Sequence, residues 1–227
     1  MSQLYELTAA KAAARIRARD LSPVELMESL LDRADRLEPR LNVWVTLDRD
    51  AAMNAAEERE RQIGAGAPVG ALHGVPVGVK DIYYTKGVRT SAGSPIYSGF
   101  VPEYDATSVA LLKSAGAVIM GKTVTTEFAC MDPPPTRNPW DAAHTPGGSS
   151  TGSAVGVASR IFPVALGSQT GGSVLRPASY NGVVGLKPTF GRISRYGVFP
   201  VAASLDTMGT FSRTVEDAAL LLKVMAG

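Results

Sequence analysis

The chain has 227 residues, 45% hydrophobic and 19% charged, with 23 Lys and Arg against 21 Asp and Glu. That is ordinary globular composition with a near-balanced charge, and no basic block argues for nucleic acid. One cysteine, Cys130, excludes an intrachain disulfide and a cysteine metal cluster, and two histidines, His73 and His144, are too few for a histidine-rich metal site. The opening MSQLYELTAAK lacks the apolar region of a secretory signal, and no apolar run is long enough to span a membrane. A cytoplasmic protein is expected.

The first 66 residues read as mainly helical. Thr8 is placed to cap a helix running to Arg19. Ser22-Pro23-Val24-Glu25 has the spacing of a capping box with Pro at the first helical position. Leu26, Leu30, Leu31, Ala34 and Leu37 follow as one helical stripe, expected to end before Pro39. Val43, Val45 and Leu47 alternate as a short strand from Leu41, and Asp48 to Ile63 reads as a charged helix with a solvated face.

From residue 67 onward the pattern becomes α/β. His73 to Asp81 reads as a buried strand ending in Lys80-Asp81. A lysine at a strand end is usually solvated, but Val75, Val77, Val79 and Ile82 around Lys80 argue for burial. A loop rich in Gly, Ser and Thr follows from Thr85. Next come a helix from Asp105 to Gly116, a strand from Ala117 to Gly121 and a short helix over 125–129. The proline-rich segment from Met131 to Pro146 reads as a loop. A helix of small residues is expected after Ser150, strands over 162–166 and 183–186, and a terminal helix from Thr214.

The segment from Thr145 to Lys187 carries Gly147-Gly148-Ser149 and Gly171-Gly172-Ser173. Ordering glycine costs backbone entropy, so this density calls for close packing, sharp turns or N–H groups bared toward a ligand. Several spacings are excluded. Two residues after Ser173 stands Leu175, not the Gly of a nucleophile elbow, and the run from Gly147 lacks the lysine of a phosphate loop. A triad through His73 or His144 stays open but carries little weight. Serine with lysine remains: a serine hydroxyl needs a base, and a desolvated, neutral lysine can serve. Lys80 is the best-placed lysine by composition.

Gly147-Gly148-Ser149-Ser150-Thr151-Gly152-Ser153, the run from Gly167 to Ala178, and Gly182 to Thr189 resemble the amidase signature family. So do Gly74 to Asp81, Gly121-Lys122-Thr123 with Glu127-Phe128-Ala129, Ser194 to Gly197, and Ser212 to Asp217. The resemblance implies an α/β fold, with a central mixed sheet covered by helices on both faces and a helical N-terminal part. It implies a single domain over 1–227 in which 67–227 is the signature core. Family members usually run to about twice this length, so the chain corresponds to their N-terminal half and the usual C-terminal half is absent.

By position the resemblance makes Ser173 the nucleophile, Lys80 the base and Ser149 a bridging serine after a cis peptide. The N–H groups of Thr170, Gly171, Gly172 and Ser173 form the oxyanion hole. Ser150 and Arg176 are expected toward the substrate. The implied reaction is hydrolysis of a small carboxylic amide through an acyl-enzyme, with no cofactor. The alternatives are an amidotransferase A-type subunit releasing ammonia from glutamine in a complex, or a truncated inactive chain. Amidotransferase subunits resemble the chain closely but commonly carry Asp and Gln where Gln169 and Arg176 stand here. The partners left open are a homodimer, a C-terminal segment or another subunit.

Overall fold

The computed structural model describes residues 3–226. Its frame is a mixed six-stranded sheet: β1 (Trp44–Leu47), β2 (Pro76–Lys80), β3 (Val118–Thr123), β4 (Val164–Gln169), β5 (Val184–Leu186) and β6 (Thr207–Ser212), in the order β1-β3-β2-β4-β6-β5. The central strands β3, β2 and β4 are parallel, and β1, β6 and β5 are added antiparallel at the flanks. All five residues of β2 are buried, which requires cover on both faces of the sheet. Helices α5 (Thr151–Ala158) and α6 (Leu175–Asn181) supply one layer; α4 (Thr107–Ser114) and α7 (Val215–Met225) supply the other. The remaining helices, α1 (Ala9–Arg17), α2 (Pro23–Leu41) and α3 (Arg49–Gly64), are N-terminal. None of the described helices is long and apolar enough to cross a membrane.

The N-terminal helices begin where the sequence signals them. Thr8 caps α1 by accepting from Lys11 N, and Ser22 with Glu25 forms the capping box of α2. However, α2 does not end before Pro39. It continues to Leu41 and stops at Asn42, whose φ of 53° is left-handed. In the last turn a proline removes only one hydrogen bond. Tertiary contacts hold the turn: Leu41 is buried, and the Glu38 carboxylate accepts from Val43 N and Trp44 N.

Two elements give little sequence signal. β6 reads Thr-Met-Gly-Thr-Phe-Ser, without apolar alternation, yet it is buried throughout between β4 and β5. α6 contains Pro177 and has no Ser, Thr, Asn or Asp as a local cap. The Gln169 side chain caps it from the end of β4, accepting from Val174 N at 3.0 Å and Leu175 N at 2.9 Å.

α7 is covered from the N-terminal side. Its buried Asp217 accepts from Ala10 N of α1 at 2.8 Å, and Arg213 donates to Leu7 O.

The small residues of α5 let it pack closely over the sheet. The Phe162 ring fills the space between Gly156 and Gly78, and Gly152 abuts the backbone of Val43 and Val124. Ser153 Oγ donates to Leu166 O at 2.7 Å and lies 2.7 Å from Thr123 Oγ1, tying α5 to β4 and β3. This seating aims the start of α5 at the carboxyl ends of the parallel strands. An alanine Cβ at Gly156 would stand 2.0 Å from Phe162 Cζ. Gly156→Ala is therefore expected to lower stability by about 1–3 kcal/mol, the range for overpacked cores, read from the urea midpoint. Gly171→Ala, whose Cβ meets open space, is expected to leave the midpoint unchanged.

Candidate active site

Lys80 is the last residue of β2 and is wholly buried. Its Nζ donates to Ser149 Oγ at 2.7 Å and to Ser168 Oγ at 2.8 Å. Burial pulls its pKa down to about 7, against the Asp206 carboxylate, which favours the charged form. A charged amine here would lack a carboxylate within ion-pair distance, since none of the ion pairs among the described residues involves Lys80. Desolvation therefore outweighs the distant charge, and near neutral pH the amine is poised between its two forms.

Ser149 is also wholly buried, and the peptide bond before it, Gly148–Ser149, is cis. Ser150 and Arg176 take backbone partners. Ser150, buried completely, donates to Ser168 O and accepts from Ser168 N, both at 3.3 Å. Its hydroxyl thus steadies Lys80's second partner and does not face an open site. The Arg176 guanidinium donates to Gly148 O through Nε at 3.1 Å and Nη2 at 2.8 Å. That clamp joins the first turn of α6 to the peptide carrying Ser149. Arg176 also lines a cavity of about 340 Å³ with Gly147, Gly148, Thr126, Cys130 and Tyr180.

Ser173 lies in the turn between β4 and α6 and is 8% exposed. Its hydroxyl has no hydrogen bond to Ser149 or Lys80 among the described residues. The N–H groups of Thr170, Gly171, Gly172 and Ser173 likewise donate to no acceptor among the described residues. The loop leaves four donors bare on a segment held at its exit by Gln169. The structure thus joins Lys80 to Ser149 directly, links Ser149 to α6 through Arg176, and sets Ser173 and its bare N–H groups at the start of that helix.

Sequence reasoning missed the structural roles of three residues that build this site. Ser168 shares Lys80 with Ser149, Gln169 caps α6, and Asp206 accepts from Thr170 Oγ1. Ser168 and Gln169 stand inside the glycine-rich run, but Ser168 meets Lys80 only through strand pairing, and Gln169 reaches Val174 N and Leu175 N only across the turn after β4. Asp206 carries no local signal. A second buried lysine, Lys122, faces Asp81 at 3.5 Å and donates to Tyr83 O and Thr90 Oγ1. Burial pulls its pKa to about 8, opposed by Asp81.

Comparison with known proteins agrees with this architecture. The Amidase family model matches residues 25–227. The chain is 48% identical over 231 residues to the glutamyl-tRNA(Gln) amidotransferase A subunit of Carboxydothermus hydrogenoformans, spanning 99% of this chain and 48% of that protein. It is 46% identical to the A subunit of the same name from Geobacter sp. (strain M21), spanning 99% of this chain and 47% of the relative. The solved peptide amidase of Stenotrophomonas maltophilia superposes with a TM-score of 0.92 at 42% identity, over 98% of this chain and 48% of the other. The chain thus spans about half the length of the curated relatives it matches. The fold, the two Gly-Gly-Ser segments and the extent of these matches establish that the chain belongs to the amidase family.

Proposed function

We propose that the chain cleaves amide C–N bonds by acyl transfer, with Ser173 as nucleophile, Ser149 as bridge and Lys80 as base. The observation that carries this reading is the buried Lys80 amine, 2.7 Å from Ser149 Oγ with its pKa lowered to about 7. Neutral Lys80 takes the Ser149 proton as Ser149 takes that of Ser173. The Ser173 oxygen then attacks the amide carbon, and the electron pair of the carbonyl moves onto its oxygen. In this reading the bare N–H groups of Thr170 to Ser173 receive that developing charge. As the C–N bond breaks, the proton returns through Ser149 to the departing ammonia or amine. Water or another amine then resolves the acyl-enzyme. No hydrogen bond joins Ser149 to Ser173 among the described residues, and catalytic hydrogen bonds often form only with substrate bound.

The relatives named as glutamyl-tRNA(Gln) amidotransferase A subunits favour glutamine as the amide, with ammonia passed on inside a complex, over a free-standing hydrolase of small carboxylic amides. One observation keeps the second reading: Arg176 lines the open cavity, where a guanidinium could meet a substrate carboxylate. Glutaminase activity that appears only with partner subunits would select the first. Turnover of simple amides by the protein without them would select the second.

Two further measurements test the mechanism. Ser173→Ala is expected to abolish labelling by a fluorophosphonate while leaving the circular dichroism spectrum and unfolding midpoint intact; full labelling of this variant overturns the assignment. The labelling rate of the unaltered protein is expected to rise with pH. The base must be neutral, and Lys80 loses its proton as pH passes about 7. Between pH 6 and pH 8 the neutral fraction grows about 10-fold, and the rate should follow before levelling off. A flat profile from pH 6 to 9 would argue against a titrating lysine.

A further inference from the structure

The β4–β6 ladder ends on the pair Gln169–Thr207. One more step of that antiparallel register sets Asp206 opposite Thr170, the first residue of the loop with bare N–H groups. There Thr170 Oγ1 donates to Asp206 Oδ1 at 2.5 Å. Asp206 Oδ2 accepts from Val201 N at 2.8 Å and Ala202 N at 3.0 Å, and Asp206 N donates to Ala202 O at 2.9 Å. Asp206 is buried and belongs to none of the ion pairs among the described residues. A buried carboxylate without a countercharge persists only when hydrogen bonds satisfy it, and charge-assisted bonds are the stronger ones. Here three donors converge on it, so its position is fixed from two directions.

We propose that Asp206 is a positioning residue for the Thr170–Ser173 loop, holding Thr170 by its hydroxyl so that the loop's N–H groups stay aimed at the oxygen of a group bound to Ser173. This rests on the reading of Ser173 as nucleophile. Asp206 does not touch the reacting atoms; it acts through Thr170. The two glycines between Thr170 and Ser173 have no side chain with which to anchor the loop. Gln169 pins the exit through Val174 N and Leu175 N, and Asp206 pins the entry. A loop held at one end only could rotate its peptide planes, and misplacement by about 1 Å can cost 10²-fold in rate.

The test is fluorophosphonate labelling resolved into a maximal rate and a half-saturating concentration. The proteins compared are the unaltered chain, Thr170→Val, Thr170→Ser and Asp206→Asn, with Ser173→Ala as the blank. Thr170→Val, nearly isosteric, and Asp206→Asn, whose single oxygen can still accept from Val201 N and Ala202 N while its amide NH2 replaces the charged acceptor of Thr170 Oγ1, should each lower the maximal rate about 10- to 100-fold with little change in half-saturation. Thr170→Ser retains the hydroxyl and should recover most of the rate. A purely structural role would lower the unfolding midpoint of Thr170→Val and Thr170→Ser alike without this split. Labelling of Thr170→Val at the unaltered rate, or Thr170→Ser as slow as Thr170→Val, overturns the proposal. Labelling of the Ser173→Ala blank, or none of the unaltered chain, would instead overturn the nucleophile assignment on which it rests.

Discussion

The site depends on burying the Lys80 amine between two serine hydroxyls. An isolated ammonium in a dry interior is costly, so the group is driven toward its neutral form unless a countercharge offsets the loss of water. Lys80 has no carboxylate at ion-pair distance, only Ser149 and Ser168. The dryness comes from the sheet. β2 is sealed on both faces, and α5 packs close over the sheet because Gly152 leaves room for the backbone of Val43 and Val124 and Gly156 leaves room for the Phe162 ring. The helix that covers the lysine is also the one that begins just after Ser149 and Ser150, so burial of the amine and delivery of its hydroxyl partner are one event.

Lys122 shows what a different partner does to the same residue type. It is also fully buried, one strand away on β3, but it faces Asp81 and binds Tyr83 O and Thr90 Oγ1. Its pKa is lowered less, to about 8, because the Asp81 charge opposes desolvation. Asp81 in turn accepts from Ser91 N and Ser91 Oγ, which ties the loop after β2 to the sheet. One lysine is thus bound into an ion-paired brace, while its neighbour in space has only hydroxyls to share a proton with.

Backbone clamps join the two Gly-Gly-Ser segments. Arg176 grips Gly148 O from the first turn of α6, and Ser150 grips both backbone groups of Ser168. Each clamp spans from one segment to the other. Ser149 and the bare N–H loop therefore share a rigid frame, although no hydrogen bond joins Ser149 to Ser173 among the described residues. Ser150 and Arg176, both expected toward the substrate, hold backbone groups of the neighbouring segments, and Arg176 lines the cavity as well.

Local patterning carried the parts of this fold whose causes are local. The capping box at Ser22 and Glu25, the stripe from Leu26 to Leu37 and the apolar run before Lys80 each hold their own physical reason in a few adjacent residues. The two Gly-Gly-Ser segments and the apolar flanks of Lys80 likewise point to a serine–lysine site from sequence alone. Tertiary structure decided the rest. β6 has no apolar alternation and is a strand because β4 and β5 satisfy its backbone from both sides. α6 takes its cap from Gln169, outside the helix, and α2 outruns Pro39 because Leu41 and Glu38 are anchored elsewhere. Asp206 meets Thr170, and Ser168 meets Lys80, only through strand register, and register depends on pairing between segments far apart in the chain.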